Sequence, residues 1–336
     1  MHKGPNPLKI IQSLEFQSIR LISVLEKVMF GRNKTRVTEF MLLGFQNPQV
    51  SNSVLFVFFL VVYILTLAGN LLIIILVSKF QSLNSPMYFF LSQLSICDIL
   101  HTTNIIPKML SVIINGGSSI LVTSCIAQLY FYGVSTGSEC LLLTVMSYDR
   151  YLAICKPLHY KSIMSFTLQL HLAIWCWVFP LLAMAFLGFL ICNLHFCGPQ
   201  IIDHYFCDFG PLLELSCSDT TIVELSDFVI GIPFTILPFF FIFFSYIFIF
   251  TTIFGKSSTS GKQKFFSTCS SHLTIVSIYY GTLITVYMVS SKGQSFNVKK
   301  VMSLLCNSGT PFFNPIIYSF RNQEIKLALI KCVRST

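Results

Sequence analysis

The chain has 336 residues and a formal net charge of +9, yet only 10% of it is charged while 54% is hydrophobic and 15% aromatic. Soluble domains carry roughly 25% charged residues, so composition argues against a water-soluble enzyme and a disordered chain, and 12 cysteines spread along so long a chain do not make a disulfide miniprotein. The Lys and Arg residues fall in short polar gaps and form no basic face with interleaved aromatics, so the positive balance reads as membrane topology, not nucleic-acid binding.

A helix needs about 20 apolar residues to cross the hydrocarbon core of a bilayer. In chain order the expected spans are 54–78, 86–113, 122–148, 166–191, 228–254, 265–289 and 301–319. Five of them contain no Asp, Glu, Lys or Arg; the second holds Asp98 and Lys108, and the third holds Glu139. The pattern predicts an all-α membrane protein with a tail over 1–53, a seven-helix bundle over 54–319 and a second tail over 320–336. An odd number of spans puts the termini on opposite sides. The gaps after spans one, three and five, with the C-terminal tail, hold eleven Lys and Arg residues, against Lys108, Lys292, Lys299 and Lys300 on the other side. Positive residues stay cytoplasmic, which puts the N-terminus outside and the C-terminus inside.

The sequon Asn33-Lys34-Thr35 falls on the outer tail, where Asn33 is a candidate glycosylation site. Residues 1–36 carry seven Lys and Arg residues and no apolar signal-peptide core. Such a load is awkward to translocate, and a start at Met29 would remove four of the seven, so residues 1–28 are expected to be an upstream extension.

Ionisable groups at membrane depth are costly and mark function by default. Glu139 precedes Arg150 by 11 residues, close to three helical turns, so both share one face of the third helix, about 16 Å apart. Facing inward, that side would form a polar core from Asn70, Asp98, Glu139, Asn314 and Tyr318; a neutral hydrogen-bonded network with a protonated carboxyl is the alternative. Pro107 and Pro315 fall in or near apolar helices and are expected to kink them. Residues 321–331 alternate apolar positions with Lys326 and Lys331, consistent with a short interfacial helix. Cys332 at its end is a candidate for acylation, although a lone cytoplasmic cysteine more often stays free.

Cys125, Cys197, Cys207 and Cys217 lie on the oxidising side and permit three pairings. His195 and His204 stand near them, but disulfides would consume the thiolates, so no metal site is expected. Continuing up the Glu139 face of the third span gives Thr136, Gly133 and Tyr132, and the sixth span gives Tyr280, Leu283, Ile284 and Tyr287. These residues outline a mostly apolar pocket with a few hydroxyls, suited to a small, weakly polar molecule; plain helix packing is the alternative. No carboxylate lies in the outer half of the third span to receive an amine. A transporter would show internal repeats, a channel pore-lining rings and an intramembrane enzyme a nucleophile with its base or paired metal ligands; none of these patterns is present, and no enzymatic activity is expected.

Four motifs carry a family resemblance. Ser85-Pro86-Met87-Tyr88-Phe89-Phe90-Leu91-Ser92 leads to Asp98; Met146-Ser147-Tyr148-Asp149-Arg150-Tyr151-Leu152-Ala153-Ile154-Cys155 ends the third span. Lys264-Phe265-Phe266-Ser267-Thr268-Cys269-Ser270-Ser271-His272-Leu273 opens the sixth, and Pro311-Phe312-Phe313-Asn314-Pro315-Ile316-Ile317-Tyr318-Ser319-Phe320-Arg321-Asn322 closes the seventh. Together they resemble the vertebrate olfactory receptors, within the rhodopsin-like G-protein-coupled receptors, from about Asn33 to Lys331. The family usually has Ala at 147 and 265 and Leu at 320; Ser147 stands beside the coupling end.

The resemblance implies an odorant receptor that takes small volatile ligands, works through a stimulatory heterotrimeric G protein and raises cyclic AMP. It implies Asp149, Arg150 and Tyr151 as the coupling switch, Asn314, Pro315 and Tyr318 as a hinge, and a sodium ion as an allosteric ligand at Asn70, Asp98, Glu139 and Asn314, with no other cofactor. It favours the pairs Cys125–Cys207 and Cys197–Cys217, which would pin a lid over the bundle mouth. The expected partners are odorant, G protein and membrane lipid. A rhodopsin-like receptor for another small molecule, lipid or peptide is the competing reading.

Overall fold

Uncharged runs of Phe, Leu, Ile and Val have no water-facing side, and the helices they form present those side chains outward. Val54, Phe58, Trp175, Leu182 and Phe189 are all exposed, an arrangement stable only where the surroundings are apolar. The computed structural model describes residues 37–45, 51–256, 259–288 and 296–335, except for the side chains of 256, 259–268, 284–288, 296–299, 320–321 and 333–335. Asn33 and residues 1–28 lie outside the described residues.

The described chain begins with strand β1 (Glu39–Leu42) and continues through helices α1 (Asn52–Lys79) and α2 (Pro86–Asn115), strand β2 (Ser118–Leu121), helices α3 (Val122–Cys155) and α4 (Phe166–Cys192), and strand β3 (Ile201–Ile202). Helix α5 is built from Thr221–Gly231, a π turn Ile232–Ile236 and Leu237–Lys256. Helix α6 is Thr259–Met288; α7 joins Phe296–Leu304, a π turn Leu305–Gly309 and Thr310–Arg321; α8 is Gln323–Ser335. By length and composition α1, α4 and residues 221–255 of α5 can each cross a membrane. At 28 residues α1 is about 42 Å long, ample for a 30 Å hydrocarbon core.

Local sequence sets the ends. Pro86 at the first turn of α2 needs no hydrogen-bond partner for its nitrogen, and Gly116 closes that helix in the left-handed region at φ 65°. Helix α3 runs to Cys155, seven residues past the expected span, and α5 starts at Thr221 and includes Glu224 and Asp227. Apolar runs mark where lipid begins, whereas the backbone hydrogen-bond ladder continues into the polar region beyond it.

Helix α3 is central and packs on α2, α4 and α5, while α7 closes the bundle against α1, α2 and α6. Gly69 on α1 lets Pro315 of α7 approach so closely that a Cβ there would lie 3.0 Å from the ring. At one end sits a three-stranded sheet in the order β2-β1-β3. Strand β1 runs antiparallel to β2, pairing Glu39 with Leu121 and Leu42 with Ser118, and parallel to β3 with Met41 opposite Ile201. Alternate β1 residues Phe40 and Leu42 turn inward onto a cluster with Val112, Leu129, Leu187 and Leu212. A larger cluster fills the opposite half around Leu94, Leu142, Met146, Tyr246 and Ile249.

Candidate functional site

Three sets of polar or aromatic groups lie along the bundle. The sheet end is covered by the segment between α4 and α5. Cys125 at the start of α3 is joined to Cys207, with Cα atoms 5.4 Å apart, and Cys197 to Cys217 at 5.8 Å. The Cys207 backbone N–H donates to Gln128 Oε1 at 2.9 Å. Lys300 of α7, 2% exposed, donates to Gly44 O at 2.8 Å and pairs with Asp203 at 2.5 Å, so a single ammonium ties the N-terminal segment, the loop and α7 together. Beside it His204 is buried, with the Tyr205 and Phe206 rings at 4.5 and 4.6 Å. Burial pushes its imidazole down to about 3, and the Lys300 charge adds to the shift.

Beneath this lid Tyr132 lies 5.3 Å from Phe206 and 5.5 Å from His101, whose Nδ1 meets Ser135 Oγ at 2.8 Å. Tyr279 donates to the Thr136 carbonyl at 3.0 Å, which joins α6 to α3. Tyr280 and Leu283 are buried, with the Tyr280 hydroxyl close to Cys140 of α3. Gly133 is placed against α4, where a Cβ would come within 2.3 Å of Met184 Cε. The side chains of Ile284 and Tyr287 lie outside the described residues.

At mid-depth Asp98 is 1% exposed, and both its oxygens accept from Asn314 Nδ2, at 3.1 and 3.0 Å. The Asn314 side chain also reaches Glu139, which lies within electrostatic reach of Asp98. Asn70 donates to Thr66 O and Pro311 O, both at 3.1 Å. Asn70 Oδ1, Ser138 Oγ, Glu139 Oε1 and Asn314 Oδ1 are buried with no hydrogen-bond partner among the described residues. An oxygen-rich cluster with spare acceptors and two carboxyls is the donor set a hard monovalent cation prefers, so these residues fit a sodium ion.

At the far end Asp149 is buried and accepts from Tyr160 Oη at 2.8 Å. It makes no ion pair with Arg150 among the described residues. Arg150 lies within electrostatic reach of Tyr246 of α5, His272 of α6 and Tyr318 of α7. Tyr246 Oη meets His272 Nδ1 at 2.8 Å, and the buried Tyr318 hydroxyl has no hydrogen-bond partner among the described residues. Tyr151 packs its ring 6.3 Å from Phe248. Ser147 accepts from Ser245 of α5 at 3.3 Å. Tyr88 donates to Asn322 Oδ1 at 3.0 Å and Glu324 Oε2 at 2.9 Å, fastening α8 to α2.

Sequence reasoning did not name Tyr246, His272, Tyr160, Lys300 or Asp203 as site residues. His272 stands inside the motif that opens the sixth span, and Tyr88 inside the one that opens the second, so both carried a signal; the Lys300–Asp203 pair, 97 residues apart, carried none.

The sequence model of a family described as olfactory receptor matches residues 59–335. Human olfactory receptor 6F1 is 44% identical over 299 residues, covering 89% of this chain and 97% of that protein. Human olfactory receptor 6B1 is 43% identical over 300 residues, with 89% and 96% covered, and human olfactory receptor 10A7 is 43% identical over 305 residues, with 91% and 96% covered.

Proposed function

The chain belongs to the olfactory receptor family, and from that membership we propose that it binds a small, weakly polar volatile ligand beneath the lid and activates a stimulatory heterotrimeric G protein, raising cyclic AMP. Membership makes it a seven-transmembrane odorant receptor and not an enzyme. The proposed orientation puts the sheet end outside the plasma membrane and the Arg150 end in the cytoplasm.

The observation that carries this reading is a series of buried and half-buried polar groups along an otherwise apolar bundle. It runs from Asp98 and Asn314 at mid-depth to Tyr318, Arg150, Tyr246 and His272. Ionisable and polar groups at such depth are costly and mark function by default, and these span α2, α3, α5, α6 and α7. Ligand contact with Tyr132, Thr136, Tyr280 or Leu283 would act on α3 and α6, the two helices that carry Arg150 and His272 to the other end. Activation is then a population shift: odorant binds the signalling arrangement better than the resting one and biases the Arg150 end toward the G protein.

A sodium ion at mid-depth would be held by Asp98, Glu139 and Asn314 and would neutralise charge there. Asn314 would turn its free Oδ1 inward to join it. Replacing sodium with choline is expected to lower the thermal stability of purified receptor, and Asp98→Asn to remove the difference; equal sensitivity in the variant would contradict the site.

The functional test is a cyclic-AMP reporter in cells expressing the chain, challenged with a chemically diverse odorant panel. At least one odorant is expected to respond, and Leu283→Trp, which fills the pocket, to shift its half-maximal concentration upward by about tenfold or more at unchanged surface level. A response that ignores this substitution would move the ligand elsewhere, and surface-expressed receptor silent to the whole panel would count against the odorant assignment.

A further inference from the structure

The α2–α3 face at the sheet end carries a groove of about 490 Å³ that opens away from the bundle. Its lining combines polar Lys108, Ser119 and Ser124 with apolar Leu121, Ala127 and Phe131. Leu121 and Phe131 are 51% and 55% exposed. Lys108 lies seven residues before the end of α2, about 10 Å along the helix from it.

The ammonium of Lys108 donates to Ser118 Oγ at 2.9 Å and to Ser119 O at 2.5 Å. Both acceptors are neutral, and an ammonium has three protons to give. Glu39 of β1 is close enough to act on the charge, but no carboxylate pairs with Lys108 among the described residues. Lys300, by contrast, has Asp203. With both acceptors neutral, an anion that brings its own apolar chain would add a charge-assisted bond to Lys108 and cover the exposed Leu121 and Phe131 side chains.

We propose that this groove binds a long-chain carboxylate from the adjoining leaflet, its head group on Lys108 and its chain along Leu121, Ala127 and Phe131. A single negative charge fits better than a phosphate dianion, because Lys108 is the one cation among the lining residues and the two side-chain amides there are engaged. Asn104 and Gln128 donate to each other's backbone carbonyls at 2.8 and 2.9 Å, and Gln128 Oε1 already accepts from Cys207. Through Gln128 the groove also touches the residue that anchors the lid, so an occupant would brace the lid from outside the bundle.

The test is photolabelling of the full chain in lipid nanodiscs with a diazirine-bearing stearic acid and with the matching stearyl alcohol. The acid is expected to label peptides between residues 104 and 131 about tenfold more strongly than the alcohol, with oleate competing. Lys108→Met should lower acid labelling about tenfold, Lys108→Arg should retain it, and Ala127→Trp should block it with the charge in place. Equal labelling by acid and alcohol on the unaltered chain would overturn the proposal whether or not any variant folds. Labelling indifferent to Lys108→Met would also overturn it, and so would stronger competition by lysophosphatidic acid than by oleate, which would assign the groove to a phosphate.

Discussion

At the scale of single residues, the lid depends on a few charges placed where water is scarce. Lys300 is buried between Asp203 and a backbone carbonyl, and His204 sits beside it with Nδ1 unpartnered among the described residues. A histidine whose imidazole is held at about 3 in the folded chain, against about 6.5 when unfolded, binds fewer protons folded than unfolded. Lid docking is therefore fully stable above about pH 6.5 and weakens as pH falls toward 3. Hydrogen exchange over residues 201–208 is expected to quicken in that window, and His204→Phe, which keeps the ring packing against Tyr205 and Phe206, to remove the His204 contribution. An unchanged pH profile in the variant would place the titrating group elsewhere.

At the scale of elements, α8 is held by its contacts more than by its sequence. Asn322 Oδ1 accepts from the Glu324 and Ile325 backbone N–H groups and caps the helix, while Tyr88 clamps both Asn322 and Glu324. Tyr88→Phe removes both side-chain bonds, one of them to a carboxylate, and hydrogen bonds to charged groups are worth about 1.5–3 kcal/mol. Backbone amide protection over Gln323–Ser335 is expected to fall about tenfold or more, with α2 unaffected. Equal protection in the variant would mean that apolar contacts of Ile325 and Ala328 hold the helix alone.

The same elements show what sequence alone could reach. Runs of Phe, Leu and Ile announced the spans because hydrocarbon rejects charge over some 20 residues, a signal no loop dilutes. Strand β1 stayed hidden: the four residues Glu39-Phe40-Met41-Leu42 alternate in burial, but so short a pattern is indistinguishable from tail. The π turns in α5 and α7 were equally silent, since an extra residue in a helix leaves the apolar run intact. In the polar core, Asp98 and Glu139 stood out as rare charges, whereas the meeting of Tyr246 with His272 or Ser147 with Ser245 depends on how separate helices rotate. Gly133, read from sequence as part of a pocket face, lies so close to Met184 that a Cβ would meet it, a neighbour that a helical repeat does not disclose.

At the scale of the whole molecule, the bundle pairs a covered end, where lid and β1 close over Tyr132 and Phe206, with an end where Arg150, His272 and Tyr318 gather from three helices. Family membership supplies the class of stimulus, and on the proposed function the polar groups between the ends would be the route for coupling. The most direct test holds surface level constant and compares odorant-evoked cyclic AMP for the unaltered chain, Arg150→Ala and Arg150→Lys. Loss of the response in Arg150→Ala, with odorant still protecting the purified receptor against heat, is the expected result, and Arg150→Lys should recover only part of the signal because an ammonium lacks the guanidinium fork. A full response from Arg150→Ala would contradict coupling through this residue.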